Sequence, residues 1–582
     1  MNLIGLLKGI FGVLDSRQKR HFYILQFAML ISSVVELVGV GSVAPFIAMA
    51  INPQYMHENE IILWAQNNIW DGSEQEYLVA LGLLFFVLIL LSNMVQFLTR
   101  FILNRFSFRL GAELSAKLNA SYLGQPVPFF TRNDSSRLMN NVITQSFRVA
   151  DQYIIAVLSL NAKLFSIFML SAFLLIISPV TAAVGLVLLG GAYKLVSMLT
   201  KNFVVRNGRE LSLANSERIK ILNESYNGIR EVKLYSLEGK VSDYFRSLSK
   251  RMMRRRANNN IVAECPYFLM EVIAFGSIVL LAVYLILVGG AERSLPVLAL
   301  YAMIGYKLLP AFQVAYRSTV SVRDTSYAWQ TVLDGIDSGA LHGADLGSLS
   351  KSQNLVLSSG AIKFIDVSFG YGEKEVFSEL NFEIPEGKVV GLVGASGSGK
   401  SSLIDLIAGF DCPASGKILV GGVDISKLDL RQWQSQIGYV PQEVHMIGST
   451  IAENVAFGVD KGSIDITKVI RTLEQVCLEE YAEDSLLGIW RDIGEKGNKL
   501  SGGQKQRLGI ARALYRDAKI LVFDEATSAL DSETESRVVE TIYNLAVGRT
   551  LFMSTHNVKI LARADIVISL SKSGEITLVS QG

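Results

Sequence analysis

The chain of 582 residues is too long for one hydrophobic core, so at least two domains are expected. Half of its residues are hydrophobic, only 19% are charged and the mean hydropathy is +0.34, which excludes an ordinary soluble enzyme and favours a membrane protein. The net charge of +2 gives no reason to expect a nucleic-acid partner, and the three cysteines match no zinc-site or disulfide spacing.

Six long apolar runs in the first 320 residues predict six membrane-spanning helices. Each run is close to or above the ~20 residues that cross the hydrocarbon core of a bilayer. The shorter apolar patch before them, residues 3–14, is amphipathic and is followed by basic residues without a small-residue cleavage pattern, so we do not expect a cleaved signal peptide. The runs cover residues 22–52, 77–99, 153–178, 180–199, 261–289 and 295–316.

Lys and Arg are distributed unevenly between these runs. Residues 52–76 contain none, whereas residues 200–262 contain fourteen and residues 100–150 are also rich in them. Because cytoplasmic segments carry the excess of positive charge, we expect 100–150 and 200–262 in the cytoplasm and 52–76 outside. Helical spacing of apolar residues in 201–260 predicts helices that continue well beyond the bilayer.

Six charged residues fall inside the predicted spans. Each costs roughly 2.5–3.5 kcal/mol at a bilayer centre, so each should face a polar cavity or pair with another charge. Three lie near span ends, where their side chains can reach water: Lys163, Lys194 and Glu264. The deeper Glu36 and Glu271 are expected to line a polar path or to pair with Lys307.

Residues 326–360 are rich in Ser, Gly and Asp, a composition typical of a linker. They separate a predicted transmembrane domain, residues 1–325, from a second domain, residues 361–582. In the second domain short apolar strands alternate with helical stretches, which predicts an α/β fold with a mostly parallel sheet. The predicted fold class is therefore a membrane α-helical bundle followed by an α/β domain.

A phosphate-binding loop is the most informative motif of the second domain. Residues 394–401 match G-x-x-x-x-G-K-[ST] completely, after an apolar run that predicts a strand. Backbone N–H groups of this loop can wrap a phosphate chain, Lys400 can reach the β- and γ-phosphates, and the Ser401 hydroxyl can hold Mg²⁺. A turn without a ligand is the alternative, but the complete match favours a nucleotide site formed by Gly394, Ala395, Ser396, Gly397, Ser398, Gly399, Lys400, Ser401 and Ser402.

Two carboxylates end a predicted strand about 125 residues further on. The apolar run 520–523 is followed by Asp524 and Glu525. Beside a phosphate-binding loop, one such carboxylate can hold Mg²⁺ and the next can orient an attacking water. We assign Asp524 to the metal and Glu525 to the water, in preference to an ordinary exposed strand end.

A second candidate phosphate site lies just before a predicted helical stretch that runs through Tyr515. A serine and two glycines at a helix start present free N–H groups and a positive dipole end. Ser-Gly-Gly also occurs at helix starts without a ligand, but a phosphate-binding loop on the same chain favours the phosphate interpretation. The residues concerned are Ser501, Gly502, Gly503 and Gln504.

With these motifs the chain resembles the ATP-binding cassette (ABC) transporters over its whole length. In that family Leu500–Gln504 is the signature motif and acts across a dimer. The resemblance implies that Tyr371 stacks on adenine, that Gln442 contacts Mg²⁺, and that His556 contacts the γ-phosphate. It also implies a loop that crosses the dimer, Ser528–Asp531, with Asp531 near the nucleotide, and an exporter coupling loop, Asp492–Gly497.

Six spans before one cassette resemble the exporter branch of the family. Pro126–Phe130 resembles its first coupling segment and Asn223–Lys233 its second. One set of spans and one cassette resemble a half-transporter, and an active ATPase and a homodimer are expected because no catalytic position is altered. Those positions are Lys400, Asp524, Glu525 and His556.

Short segments in the spans resemble the flippases of lipid-linked oligosaccharides: Glu36–Gly41, Cys265–Glu271 and Tyr306–Pro310. A short interfacial helix over residues 58–70 would be a further likeness. The resemblance implies ATP- and Mg²⁺-dependent export of an amphipathic lipid from a bacterial inner membrane, with the N-terminus and the ATPase domain cytoplasmic. Its substrate path would contain Glu36, Glu271 and Lys307.

Other functions stay open at this stage. Among pumps, they are a lipid A-type flippase and a multidrug, hydrophobic-compound or peptide exporter. Outside pumps, they are a membrane-anchored ATPase and an ATP-gated channel or regulator. Expected partners are a second copy of the chain, membrane lipid and the amphipathic substrate.

Overall fold

The computed structural model describes residues 3–42, 46, 73–177, 179–289, 291–341, 360–372, 374–571 and 576–580. The chain divides into two compact units. The first comprises residues 1–125 and 132–346, and the second comprises residues 126–131 and 347–582. The predicted first coupling segment, Pro126–Phe130, therefore belongs to the second unit.

The first unit is helical. Two π-helical turns, Asn141–Gln145 and Val149–Ile154, interrupt the stretch between α5 and α7. The helices of this part of the chain are α1 Leu3–Val13, α2 Ser16–Gly41, α3 Glu74–Leu123, α4 Val127–Arg132, α5 Ser135–Asn140, α6 Ser146–Arg148, α7 Ile155–Ile177, α8 Pro179–Asn227, α9 Ile229–Leu234, α10 Glu238–Gly289, α11 Ala291–Asp324 and α12 Ser326–Leu341, and all but the last residue of α4 belong to the second unit.

The predicted spans fall on α2, α3, α7, α8, α10 and α11. Within the described ranges, three helical stretches are both long enough and apolar enough to cross a membrane: Ser16–Gly41, Gln75–Leu123 and Ser135–Ile176. Helices α8 and α10 continue far past the apolar runs, as the periodicity of 201–260 predicts. The interfacial helix predicted for 58–70 and most of the first span beyond residue 42 lie outside the described residues.

Helix α12 replaces the first half of the predicted linker. Ala328, Trp329 and Val332 are buried in the first unit, and the Trp329 ring stacks on Tyr153 with 4.8 Å between ring centroids. These apolar residues recur at helical spacing, which is typical of an amphipathic helix. The sequence analysis judged the segment by its Ser, Gly and Asp content and therefore did not predict this helix. Residues 342–359, the rest of the predicted linker, lie outside the described residues.

A buried polar cluster joins the ends of the long helices in the first unit. Arg148 and Arg256 each place a guanidinium nitrogen 3.5 Å from Asp324 Oδ2, and the Asn259 amide donates to the same carboxylate. Gly208 of α8 lies against the end of α11, where a Cβ on it would stand 2.0 Å from the carbonyl oxygen of Asp324. Only glycine allows this approach of the two backbones.

Gly208→Ala should therefore lower the stability of the first unit by about 3 kcal/mol, because the clash is with backbone that cannot rotate away. Thermal unfolding of the purified full-length protein measures the effect. Gly190→Ala on the same helix is the matched control, since a Cβ there meets nothing within 4 Å. Equal unfolding temperatures for the two variants would contradict this packing.

The second unit contains two sheets. An antiparallel sheet of order β2-β1-β4-β5 consists of β1 Ile362–Tyr371, β2 Lys374–Ile384, β4 Ser415–Val420 and β5 Val423–Asp424. The other sheet has the order β10-β9-β3-β8-β7-β6 and is parallel except for the edge pair β9–β10. Its strands are β3 Val389–Gly394, β6 Ile437–Val440, β7 Ile520–Asp524, β8 Thr550–Ser554, β9 Ile566–Leu570 and β10 Ile576–Ser580.

The central strands β7 and β8 are buried at every position, which is why they are continuous apolar runs rather than alternating ones. Helices surround this parallel sheet, so the predicted α/β domain is confirmed. They are α13 Lys400–Ile407, α14 Leu430–Ser435, α15 Ile451–Val455, α16 Ile466–Gln475, α17 Gly502–Tyr515 and α18 Ser532–Leu545.

Candidate nucleotide-binding site

Three parallel strands end side by side and bring the predicted catalytic residues together. Strand β8 lies between β3 and β7, and Ser554 pairs with Leu392 on one side and with Asp524 on the other. The phosphate-binding loop follows β3, the two carboxylates end β7, and His556 follows β8. Ligands of open α/β sheets bind at this carboxyl edge of the strands.

The phosphate-binding loop has the backbone that its glycines predict. Gly397 and Gly399 have φ angles of 78° and 98°, in the left-handed region. A Cβ on Gly394 would lie 2.6 Å from the carbonyl oxygen of Leu570. The Lys400 ammonium donates to the carbonyl oxygens of Gly394 (2.7 Å) and Ala395 (3.3 Å), so it is held over the loop.

The metal-binding prediction has a matching set of oxygens. Ser401 Oγ donates to Asp524 Oδ2 at 2.9 Å, which places a hydroxyl and a buried carboxylate together at the start of α13. Mg²⁺ prefers such hard oxygen ligands, usually few from the protein with the rest from phosphate and water. The donor set at this position therefore fits a magnesium ion.

Glu525 is the centre of a second group of contacts. Gln442 Nε2 donates to Glu525 Oε2 at 2.9 Å, and His556 Nε2 lies 2.8 Å from Glu525 Oε1. Glu525 has a φ of 49°, an uncommon conformation for a residue other than glycine and one that is often retained at functional sites. The structure thus joins Gln442, Glu525 and His556, and Gln442 lies against the carboxylate that the sequence analysis assigns to the attacking water.

Tyr371 stands beside the phosphate-binding loop. Its hydroxyl lies 3.4 Å from Ser402 Oγ, and its ring, half exposed, packs edge-on against Phe369. Partial burial raises the pKa of the Tyr371 hydroxyl, with the nearby Asp411 and Asp405 carboxylates as smaller causes. The exposed ring face is in keeping with the predicted contact with adenine.

The signature residues form the start of α17. Ser501 Oγ accepts the Gln504 backbone N–H at 3.2 Å, and the Ser501 backbone N–H donates to Gln504 Oε1 at 2.8 Å. The Gln504 amide also donates to Glu480 Oε1 and to the Tyr481 hydroxyl. Gly502 and Gly503 are then the first two helical residues, whose N–H groups have no acceptor within the helix.

Gln506 is a residue that the sequence analysis missed. Its amide donates to Ser528 Oγ at 3.1 Å, and its carbonyl oxygen accepts the Ala529 N–H at 2.8 Å. The loop predicted to cross the dimer is therefore fixed to the signature helix of its own chain. Asp531 ends this loop as the N-cap of α18, and the Thr534 N–H lowers the pKa of its carboxyl.

The predicted exporter coupling loop, Asp492–Gly497, packs on the segment that follows Gln442. The Ile493 N–H donates to the Ser449 carbonyl at 3.1 Å, and Asp492 forms an isolated antiparallel β-bridge with Thr450. Gly494 and Gly497 have positive φ angles of 74° and 66°, so glycine is required for the shape of the loop.

Asp405, also missed, lies on α13 behind the phosphate-binding loop. Burial, with the carboxylates of Asp411 and Asp524, raises its pKa to about 6. The folded protein therefore keeps a proton that the unfolded chain, with a carboxyl pKa near 3.8, releases. Ionisation of Asp405 costs stability as the pH rises from about 4 to about 6.

Asp405→Asn should accordingly stabilise the protein at pH 7.5 by about 1 kcal/mol, allowing for partial exposure of the carboxyl, and should have little effect near pH 4. Thermal unfolding at both pH values, with a chelator present and without nucleotide, measures the difference. Glu474→Gln at an exposed position is the control. A gain that is the same at both pH values would show that ionisation is not its cause.

The contacts of the charged residues in the predicted spans differ in part from those expected. Glu36 is buried between α2 and α7, accepts a hydrogen bond from Ser166 Oγ at 2.8 Å and lies 3.9 Å from Lys163 Nζ. The expected pair with Lys307 is therefore wrong for Glu36, because helix packing supplies a nearer cation. Glu271 on α10 and Lys307 on α11 are half-buried, and neither has an ion pair within the described parts of the chain.

Comparisons with known proteins agree with this architecture. Residues 23–306 match the family model of the ABC transporter transmembrane region, and residues 377–528 match that of the ABC transporter. An ATP-dependent lipid A-core flippase of Paraburkholderia xenovorans is 30% identical over 83% of this chain and 80% of its own length. The corresponding protein of Bordetella pertussis is 27% identical over 93% of this chain and 84% of its own length.

A solved structure extends the likeness to the whole fold. A bacterial Atm1-family ABC exporter with ATP bound superposes with a TM-score of 0.78 over 97% of this chain and 96% of its own, at 19% identity. Both regions of the chain match their family models, and the flippase relative covers most of both sequences. The chain therefore belongs to the ABC transporter family, as a half-transporter in which an exporter-type transmembrane region precedes one ATP-hydrolysing domain.

Proposed function

We propose that two copies of this chain form an ATP-driven flippase that moves an amphipathic lipid, such as a lipid-linked oligosaccharide or another glycolipid, from the cytoplasmic to the outer leaflet of a bacterial inner membrane. The observation that carries the proposal is the meeting of Lys400, Ser401, Asp524, Glu525 and His556 at one sheet edge. These side chains are the phosphate-binding, metal-binding and water-orienting groups that one chain brings to phosphoryl transfer. Each copy also carries an intact signature motif, which supports a dimer of two identical chains.

In the proposed dimer, each ATP lies between the phosphate-binding loop of one copy and the partner's Ser501, Gly502 and Gly503. Lys400 exchanges its loop carbonyls for β- and γ-phosphate oxygens. Tyr371 stacks on the adenine. The free N–H groups at the start of the partner's signature helix contact the γ-phosphate from the opposite side.

Ser401, Asp524 and Gln442 would hold Mg²⁺, which when bound neutralises charge on the phosphate oxygens. Each carboxylate oxygen of Glu525 has one contact, with Gln442 or with His556, and keeps a second lone pair that can accept a hydrogen bond from a water. Glu525 then orients that water and accepts its proton. The water oxygen bonds to the γ-phosphorus as the bond to the leaving ADP oxygen breaks.

Closure of the two sites is proposed to draw the cytoplasmic helices together and turn the cavity outward, and hydrolysis to reset it. Substrate chemistry is inferred from two sources. The span segments resemble flippases of lipid-linked oligosaccharides, and the relatives reported above are named for lipid A-core. Both sources point to an amphipathic lipid as the substrate.

ATPase stimulation in proteoliposomes tests the transport function. Lipid-linked oligosaccharides or lipid A precursors should raise the ATPase rate severalfold, whereas hydrophobic cations should not. Stimulation by the cations alone would favour a multidrug exporter. A rate that no amphiphile changes, together with no lipid movement, would favour a regulator.

Glu271→Gln should abolish the lipid-stimulated part of the rate and leave the basal rate unchanged. The reason is that Glu271 is half-buried in the membrane region and has no ion pair with any residue that the structure describes, so its carboxylate is available to contact a substrate. Glu264→Gln, one helical turn from the predicted span end, is the control. Full lipid stimulation in the Glu271 variant would remove this residue from the substrate path.

A further inference from the structure

A groove of about 760 Å³ lies between the start of α2 and the second half of α3, away from the residues assigned to nucleotide or substrate. Arg17 and His21 of α2 and Arg105 and Arg109 of α3 line it, together with apolar side chains such as Phe101. The four basic side chains come from chain segments about 85 residues apart. Their convergence is a product of helix packing.

The groove keeps its positive charge. No ion pair engages Arg17, Arg105 or Arg109 within the described ranges, and the Arg105 guanidinium lies 5.2 Å from the centre of the Phe101 ring. Of the acidic neighbours, Asp15 lies 2.9 Å from Lys117, whereas Glu113, which also lines the groove, accepts a hydrogen bond from the neutral Gln18 amide and keeps its charge. The three arginines outnumber this one carboxylate. Three guanidinium groups are thus available to an anion.

The groove also lies next to the apolar, membrane-spanning parts of both helices. On α3 it begins where the apolar span ends, at Phe101 and after the exposed Phe97. On α2 it ends just before the exposed Tyr23 and Phe27. Exposed apolar side chains suit acyl chains, and cations next to them suit head-group phosphates, so both helices cross from hydrocarbon to head groups here.

The contacts of the N-terminal helix also place the groove at the boundary between hydrocarbon and head groups. Phe11 of α1 packs edge-on against Phe22 and Tyr23 at 5.9 and 5.6 Å between ring centroids, and Lys19 lies 5.1 Å from the centre of its ring. A short amphipathic helix with Ile4 exposed is typical of one lying in the membrane interface.

We propose that this groove binds the phosphate head group of an anionic phospholipid from the cytoplasmic leaflet. Only 6% of the residues in the most apolar window of α3 are buried within one copy of the chain, as expected of a helix that is largely exposed to lipid. Basic pockets between membrane helices on the cytoplasmic side are known to bind anionic lipid head groups. The inference rests on the proposed orientation, but it does not depend on which glycolipid is transported.

The test uses the full-length protein and native mass spectrometry of lipid binding, with phosphatidylglycerol, cardiolipin and phosphatidylcholine as probes. Wild-type protein should retain the two anionic lipids and not phosphatidylcholine. The double variant Arg105→Gln/Arg109→Gln should bind the anionic lipids about 30-fold more weakly, since each basic residue near the surface contributes about fivefold. Arg17→Gln, on the other helix, tests the groove independently.

The control removes two positive charges elsewhere. Arg471→Gln/Lys417→Gln alters exposed side chains of the second unit and should leave lipid binding unchanged. Equal lipid affinity in wild-type protein and both groove variants would overturn the proposal. So would complete displacement of the lipid by an equal concentration of inorganic phosphate, which would indicate a free-phosphate site. Lipid-stimulated transport is measured separately, so failure here and failure of the proposed flippase are distinguishable.

Discussion

Replacing Glu525 with Gln should lower steady-state ATP hydrolysis by at least two orders of magnitude while ATP still binds. A positioned general base contributes roughly 100- to 10,000-fold, and Gln keeps the shape of Glu but cannot accept the proton of the attacking water. The Gln442 and His556 contacts are polar and can persist with an amide, so the fold of the site should be unaffected. ATP should therefore accumulate in closed dimers.

Two measurements check this prediction: the phosphate release rate, and the amount of ATP that stays bound after rapid gel filtration. Glu540→Gln, an exposed glutamate on α18, is the matched control and should hydrolyse ATP at the wild-type rate. Hydrolysis retained in the Glu525 variant would assign the base elsewhere. Loss of ATP binding instead of turnover would show that Glu525 holds the nucleotide rather than the water.

The second large effect concerns the proposed nucleotide site that two copies of the chain share. It is a recovery of nucleotide trapping that appears only when two defective chains are mixed. Lys400→Ala removes the phosphate contact of the loop, and Gly502→Asp puts a carboxylate where a phosphate should bind. Each variant alone should lose activity at least 100-fold, because all its sites contain one defect. The structure allows Asp at this position, since a Cβ on Gly502 meets only Ala529 Cβ, at 3.9 Å.

Mixing decides between a shared site and a site within one chain. In a heterodimer of the two variants, one site combines both defects and the other is intact. An equal mixture, in which half of the dimers are heterodimers, should therefore recover about a quarter of wild-type nucleotide trapping. The control mixes Lys400→Ala with itself and should recover nothing. If the two-variant mixture also recovers nothing, each chain completes its own site and the sandwich arrangement is wrong.

The trapping measurement is preferable to ATP turnover in this experiment. Turnover can require closure of both sites, whereas trapping of nucleotide with vanadate requires only the intact one. Thermal unfolding of each variant before mixing shows that the chains are folded. Gly502→Asp should unfold at the wild-type temperature or slightly above it, because an acidic residue at the first position of α17 interacts favourably with the helix dipole.

Much of this architecture follows from local sequence. Half of the residues are hydrophobic, and the long apolar runs are confined to the first 320 residues. These two features are enough to predict a membrane region, because a helix crosses a bilayer when it is long and apolar enough. The phosphate-binding loop is equally local. Gly397 and Gly399 take positive φ angles that other residues rarely adopt, so the motif encodes its own backbone.

The pairings between distant segments were decided by tertiary structure. Glu36 meets Lys163 and Ser166, not Lys307, because the packing of α2 against α7 sets which side chains face each other. Gln506 fixes the loop before Asp531 through contacts that no motif predicts. Burial of Trp329 and Val332 makes residues 326–341 a helix where composition favoured a linker.

The sequence by itself determined the membrane region, the nucleotide-binding motifs and their order, since each depends on residues close together in the chain. Tertiary structure alone decided that β3, β7 and β8 end together, that Glu525 contacts both Gln442 and His556, and that two basic segments form one groove. The physical reason is that packing register depends on complementary surfaces of whole helices and strands. No short pattern in one segment specifies the partner that it will meet.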